Sequence, residues 1–175
     1  METRIRRNPA VFAILVGGFI AGTLDITYAI VFSGFRGVPA IRVLQSVAGG
    51  LLGAAAFDGG LPTAVLGLFL HFFIAFSAAA IFYAASRRLP FLTRQAILSG
   101  ALYGVVIYGV MNLIVLPLSA YPRKVTFTPL SLAINLFVHM FFIGLPIALA
   151  ARRALGARAE GGAQALPIQP SSFLR

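Results

Sequence analysis

Cysteine is absent from the 175-residue chain, which excludes disulfides, thiolate metal sites and cysteine nucleophiles while leaving the compartment open. Charge is scarce as well. Charged residues make up 10% of the chain, against about 25% in a soluble domain. So little charge leaves too little polar surface to cover a globule in water. No Gly-rich phosphate loop is present, because the glycines fall within apolar segments. The apolar segments hold one carboxylate, and no serine–histidine pair has suggestive spacing, so hydrolase chemistry is disfavoured and the chain reads as a non-enzyme.

What is present is apolar. Hydrophobic residues make up 59% of the sequence and mean hydropathy is +0.94, as in a polytopic membrane protein. The formal charge of +10 sits in short clusters between apolar runs, which is the pattern of membrane flanks and not of a nucleic-acid surface.

Four stretches have the roughly 20 residues that cross about 30 Å of hydrocarbon. They run near 10–33, 62–85, 96–118 and 130–151, and Pro9, Pro62 and Pro129 mark helix starts. Ten basic residues fall on one side: Arg4, Arg6, Arg7, Arg87, Arg88, Arg94, Arg152, Arg153, Arg158 and Arg175. The other side holds four: Arg36, Arg42, Arg123 and Lys124. The positive-inside rule places both termini in the cytoplasm. The first span is too long for a signal-peptide core and lacks a clean cleavage site.

Residues 39–57 are marginal as a span, with Ile41, Leu44, Val47, Leu51 and Ala55 on one stripe. A helix on the outer face, interfacial or re-entrant, is the better fit. Residues 1–155 therefore read as a single transmembrane domain, and the aperiodic stretch 156–175 as a disordered cytoplasmic tail.

Two segments resemble each other: "LFLHFFI" at 68–74 and "LFVHMFF" at 136–142, which aligns His71 with His139. "GTLDI" at 22–26 and "GVMNL" at 109–113 align Asp25 with Asn112, and Gly17 aligns with Gly104. The halves differ by 19 residues, about the length of the 39–57 insert. The expected architecture is an all-α four-transmembrane-helix bundle, read as a duplicated two-helix hairpin with an extra short helix in the first outer loop.

Helix rise puts Asp25 about 12 Å, His71 and His139 about 14 Å, and Asn112 about 9 Å from the outer ends of their spans. Asn135 shares the helix face of His139. These five form a candidate intramembrane polar site. A carboxylate facing lipid at that depth opposes insertion by about 2.5–3.5 kcal/mol, so Asp25 should face the bundle interior. Desolvation favours the neutral forms of carboxyl and imidazole, and their proximity favours the charged pair. The plain alternative is interhelical hydrogen bonding worth about 0.6 kcal/mol per group. Gly18 and Gly22, Gly49 and Gly53, and Gly100 and Gly104 form small-x-x-x-small packing motifs, within the bundle or between copies in a homo-oligomer. Pro146 should perturb the last span near Phe142. Arg36, Arg42 and Asp58 are candidate entrance residues or solvated interface charges.

From His71 to Pro146 the layout resembles the YagU-like small bacterial inner-membrane proteins. The resemblance rests on His71 with "FSAAAIFYA", Pro90, Gly100, "MNLIVLPL" at 111–118 and "NLFVHMFFIGLP" in the last span. It implies an inner-membrane location and carries over no site residues.

Three functions are consistent with these residues. One is a small channel- or transporter-like protein with a proton or cation site at Asp25, His71 and His139. A second is a redox protein with His71 and His139 as axial ligands of haem b. The third is a non-catalytic membrane assembly factor. The partners expected are the lipid bilayer and a second copy of the chain, without nucleic acid; no cofactor is expected outside the haem alternative.

Overall fold

The computed structural model describes residues 8–122 and 128–164, and among these the regular structure is entirely helical. Arg4, Arg6, Arg7, Arg123, Lys124 and Arg175 lie outside the described residues, as does the tail beyond Gln164. The elements are α1 (Pro9–Gly34), α2 (Ala40–Leu52) continued by a 3₁₀ turn (Gly53–Phe57), α3 (Gly60–Arg88) and the short α4 (Phe91–Arg94). Then come α5 (Ala96–Val110), a π turn (Met111–Val115) and α6 (Leu116–Leu118), and finally α7 (Pro129–Val138), a second π turn (His139–Gly144) and α8 (Leu145–Gln164).

Five helical segments are long and apolar enough to cross a membrane, one more than the sequence suggests; the addition is Ala40–Phe57. α8 also continues to Gln164, past Gly156 where the tail was expected to lose structure. Its "ARRALGARAEGGAQ" end is rich in alanine, the strongest helix former, which favours continuation of the helix.

Large apolar side chains point outward all around, among them Phe19, Phe69, Ile97, Leu102, Leu113 and Leu118. A continuous exposed apolar surface of this kind is tolerated in lipid and not in water. Small residues occupy the interior instead. Ala13, Ala21, Ala78, Ala79, Ala148 and Ala151 surround Phe82 and Ile147, the largest fully buried side chains. Lipid offers helices no hydrophobic reason to associate, so close backbone approach through small residues supplies the contact.

That approach is visible at each seam. Gly18 faces Phe76 and Gly22 faces Phe72 and Ala75, seating α1 on α3. Gly17 faces Ile147 and Ala150, seating α1 on α8. Gly100 lies against Gly144 and Ala148, and Gly104 against the His139 backbone. A Cβ on Gly67 would strike the Leu44 carbonyl, so α2 crosses α3 in backbone contact. At its other end α2 meets the 119–122 segment, where Gly49 faces Pro122 and the Gly50 carbonyl accepts from Ala120 N at 2.9 Å. Gly53 turns the chain with φ +63°, a left-handed value suited to glycine, and faces the Ala120 carbonyl. α2 buries its small and polar face (Val43, Gln45, Ala48, Gly49), whereas Ile41 and Leu51 of its apolar stripe stay exposed.

Both π turns precede a Leu-Pro step, at Leu116-Pro117 and Leu145-Pro146. Leu116 N–H donates to the Met111 carbonyl and Leu145 N–H to the Met140 carbonyl, each five residues back. A proline removes one helical N–H, and a widened turn re-pairs the carbonyls around the gap. The disturbance expected at Pro146 therefore takes the form of a π turn.

The packing divides the bundle along its length. Its tight, alanine-rich half contains the N-terminal half of α1, the C-terminal half of α3, the start of α5 and α8. α3 and α5 meet there through Tyr103, whose hydroxyl donates to the Ala78 carbonyl at 2.8 Å and whose ring packs on Phe82. The other half, toward the 35–59 connection and the 119–122 segment, is hollow.

Candidate functional site

A cavity of about 940 Å³ occupies the hollow half. Its floor is Ala78, Ile107 and Ile143; its rim includes Arg36, Tyr121 and Thr128. α2 lies across the rim with Ser46, Val47, Gly50 and Leu51 toward the space. The five residues proposed as an intramembrane polar site all line this cavity: Asp25 from α1, His71 from α3, Asn112 from the first π turn, Asn135 from α7 and His139 at the start of the second π turn. Of the three entrance candidates Arg36 lines it, whereas Arg42 and Asp58 are not among the lining residues. Arg42 donates to the Phe57 carbonyl at 2.8 Å and lies over the Phe57 ring, tying α2 to the 3₁₀ turn.

Each histidine has one ring nitrogen committed to backbone. His71 Nε2–H donates to the Gly22 carbonyl at 2.8 Å, joining α3 to α1. His139 Nδ1–H donates to the Asn135 carbonyl at 2.9 Å within its own helix. The two asparagines behave alike: Asn112 Nδ2 donates to the Tyr108 carbonyl at 2.9 Å and Asn135 Nδ2 to the Ser131 carbonyl at 2.7 Å. Carbonyls only accept, so these contacts fix which atom of each side chain donates.

Asp25 is half-buried and interacts electrostatically with His139 and His71. Among the described residues, no three His, Cys, Asp or Glu side chains stand close enough to hold one metal ion. Tyr28, one turn along α1, interacts electrostatically with Asp25 and Arg36, stacks on Phe32 and meets Phe142 edge-on. Its buried hydroxyl has no hydrogen-bond partner among the described residues. Arg36 lies over the same Phe32 ring, 5.6 Å from its centroid.

Several polar residues at or beyond the site go unremarked in the sequence, among them Tyr28 and the three that follow. Tyr108 lines the cavity and packs edge-on against the His139 ring at 5.1 Å. Ser131 completes the capping box with Thr128 at the start of α7 and lies at the cavity wall. Gln45 is buried away from the cavity and donates to the Gly60 carbonyl at 2.9 Å. The sequence does carry a signal for the π turns: "MNLIVLP" at 111–117 and "MFFIGLP" at 140–146 share Met, Ile, Leu and Pro at equal spacing.

Compared with known proteins, the chain matches no family model, and neither a curated protein nor a solved structure is detectably similar to it.

Proposed function

We propose that this chain is a small channel- or transporter-like membrane protein whose Asp25, His71 and His139 form an intramembrane proton or cation site. The observation that carries this reading is the single cavity lined by all five intramembrane polar residues. An ionisable group within an apolar span is functional by default, because lipid penalises it otherwise. One chain supplies every residue lining the cavity, so a site can be formed without a second copy.

The membrane arrangement belongs to the same proposal. α1, α3, the Ala96–Leu118 rod and the last rod cross, and α2 lies across the outer end. The 13 helical residues of α2, the Gly53 turn and Arg42 near its start support a covering helix. Charge asymmetry supports cytoplasmic termini, and the resemblance of residues 71–146 to YagU-like proteins supports a bacterial inner membrane. The placing of Asp25 with Asn112 and His71 with His139 around one cavity supports a duplicated hairpin. The π turns, confined to the second hairpin, are where the halves diverge.

Each histidine gives one ring N–H to a carbonyl and keeps its other nitrogen, as metal-bound histidines commonly do, so the spectrum of the purified protein is what separates the haem alternative. The test is flux. Full-length protein in liposomes should dissipate an imposed pH or cation gradient, and Asp25→Asn should abolish the dissipation. A wild-type protein that leaves gradients intact would favour the assembly-factor reading.

A further inference from the structure

The cavity is too large for a bare ion. At about 940 Å³ it has room for some thirty waters at roughly 30 Å³ each, and it falls in the range of small-molecule pockets. Much of its wall is apolar, including Ile74, Ile107, Met111 and Ile134. Apolar walls hold ordered water poorly and favour an occupant with an apolar body.

The polar part of the wall has a consistent sense. Because His71 donates through Nε2 and His139 through Nδ1, the ring nitrogen left on each is an acceptor when the imidazole is neutral. Asn112 and Asn135 each use an amide N–H on their own helix, which leaves both amide oxygens to accept, with one N–H remaining on each. Asp25 adds a carboxylate. Asp25, the two asparagines and the two imidazoles thus bring two carboxylate oxygens, two amide oxygens and two ring nitrogens to the wall of one space, where the donors are one N–H on each asparagine, the Tyr108 and Tyr121 hydroxyls and Arg36 at the rim. The guanidinium of Arg36 lies at the rim over the Phe32 ring, which is two turns along α1 from Asp25, about 10 Å by helix rise.

We infer that the cavity binds a protonated organic amine, with its ammonium among Asp25, the two histidines and the two asparagines, and its apolar body against the isoleucine and methionine wall. This deepens the reading of the site as a cation site and rests on it. An ammonium supplies three donors and one positive charge, which is the complement of an acceptor-rich pocket with one carboxylate.

Equilibrium dialysis of the full chain in nanodiscs, with empty nanodiscs as reference, tests this using three probes of one shape: 2-phenylethylamine, 2-phenylethanol and phenylacetate. The amine should bind saturably. The alcohol should bind about tenfold more weakly, and the carboxylate more weakly still. Asp25→Asn keeps the side-chain size and should weaken the amine about tenfold while the protein stays monodisperse. Asn112→Leu, which removes an acceptor without touching charge, should weaken it less. Equal or tighter binding of phenylacetate overturns the inference, as does amine binding unchanged by Asp25→Asn. Proton or alkali-cation flux is measured on the same preparations. Asp25-dependent flux without amine binding overturns the amine and leaves the proton or cation site standing. Asp25-dependent amine binding without flux does the reverse, upholding the binding site and removing transport.

Discussion

Among the described residues, His71 makes the one side-chain hydrogen bond from the polar layer that joins two helices, and its loss is measurable. The Gly22 carbonyl keeps its place in α1 when the imidazole is removed. His71→Ala should therefore cost about 0.6 kcal/mol and no more than about 1.7 kcal/mol in unfolding from detergent. A larger loss would mean that His71 organises the bundle beyond this contact. Two histidines alone are a weak haem signal, so protein purified from haem-sufficient cells should lack a Soret band; a band abolished by His71→Ala or His139→Ala would favour the haem reading. At this scale the sequence was informative where chemistry is conspicuous. An aspartate and two histidines in apolar runs stand out, and helix rise alone placed them in one layer. Tyr28 and Gln45 were not legible, because a tyrosine reads as apolar bulk and the Gln45 face of α2 is hidden beside a more obvious apolar stripe whose Ile41 and Leu51 stay exposed.

Among the elements, the two π turns and the glycine seams make opposite kinds of prediction. A Cβ at Gly144 would collide with the Gly100 carbonyl and the Gly104 nitrogen, whereas one at Gly109 meets nothing within 4 Å. Gly144→Ala should lower stability in detergent by about 1–3 kcal/mol, and Gly109→Ala should leave it unchanged or slightly raised. Equal effects would show that the α5–α8 seam can yield. Pro146→Ala restores an N–H and allows the second π turn to relax to α-helix, turning His139 about 100° relative to α8. Flux should fall while stability holds or rises; unchanged flux would show that the widened turn does not position His139. The helices themselves were legible from apolar length and proline starts. The π turns were not, since a five-residue widening leaves the apolar run unbroken, and only the paired Leu-Pro steps betray it.

For the whole molecule, the orientation is open to direct test. Reporter fusions after residue 90 and at the C-terminus should give cytoplasmic signals, and fusions near residues 58 and 123 should give outer-face signals. Residues 58 and 90 on the same side would overturn the four-crossing arrangement. Hydropathy could not separate a short covering helix from a span, because both are apolar, and Ala40–Phe57 meets the length and composition of a crossing. α2 meets α3 in backbone contact at Gly67 and the 119–122 segment at Gly49 and Gly50, and the fusion near residue 58 separates a covering helix from a crossing one.

The contrast between a solid half and a hollow half gives the molecule a taper. From Ala21 to Arg36 the cavity extends about 22 Å along α1, so its volume adds on the order of 40 Å² to the cross-section of that half. In a bilayer such a wedge takes more area from one leaflet than from the other, and closing the cavity would return that area to the lipid. A form with the cavity closed would then differ from this one in the work it does against lateral pressure. Cone-shaped lipids confined to the leaflet around the hollow half should shift the balance toward the narrower state, and single-chain lipids of the opposite shape toward the wider one, with no ligand added.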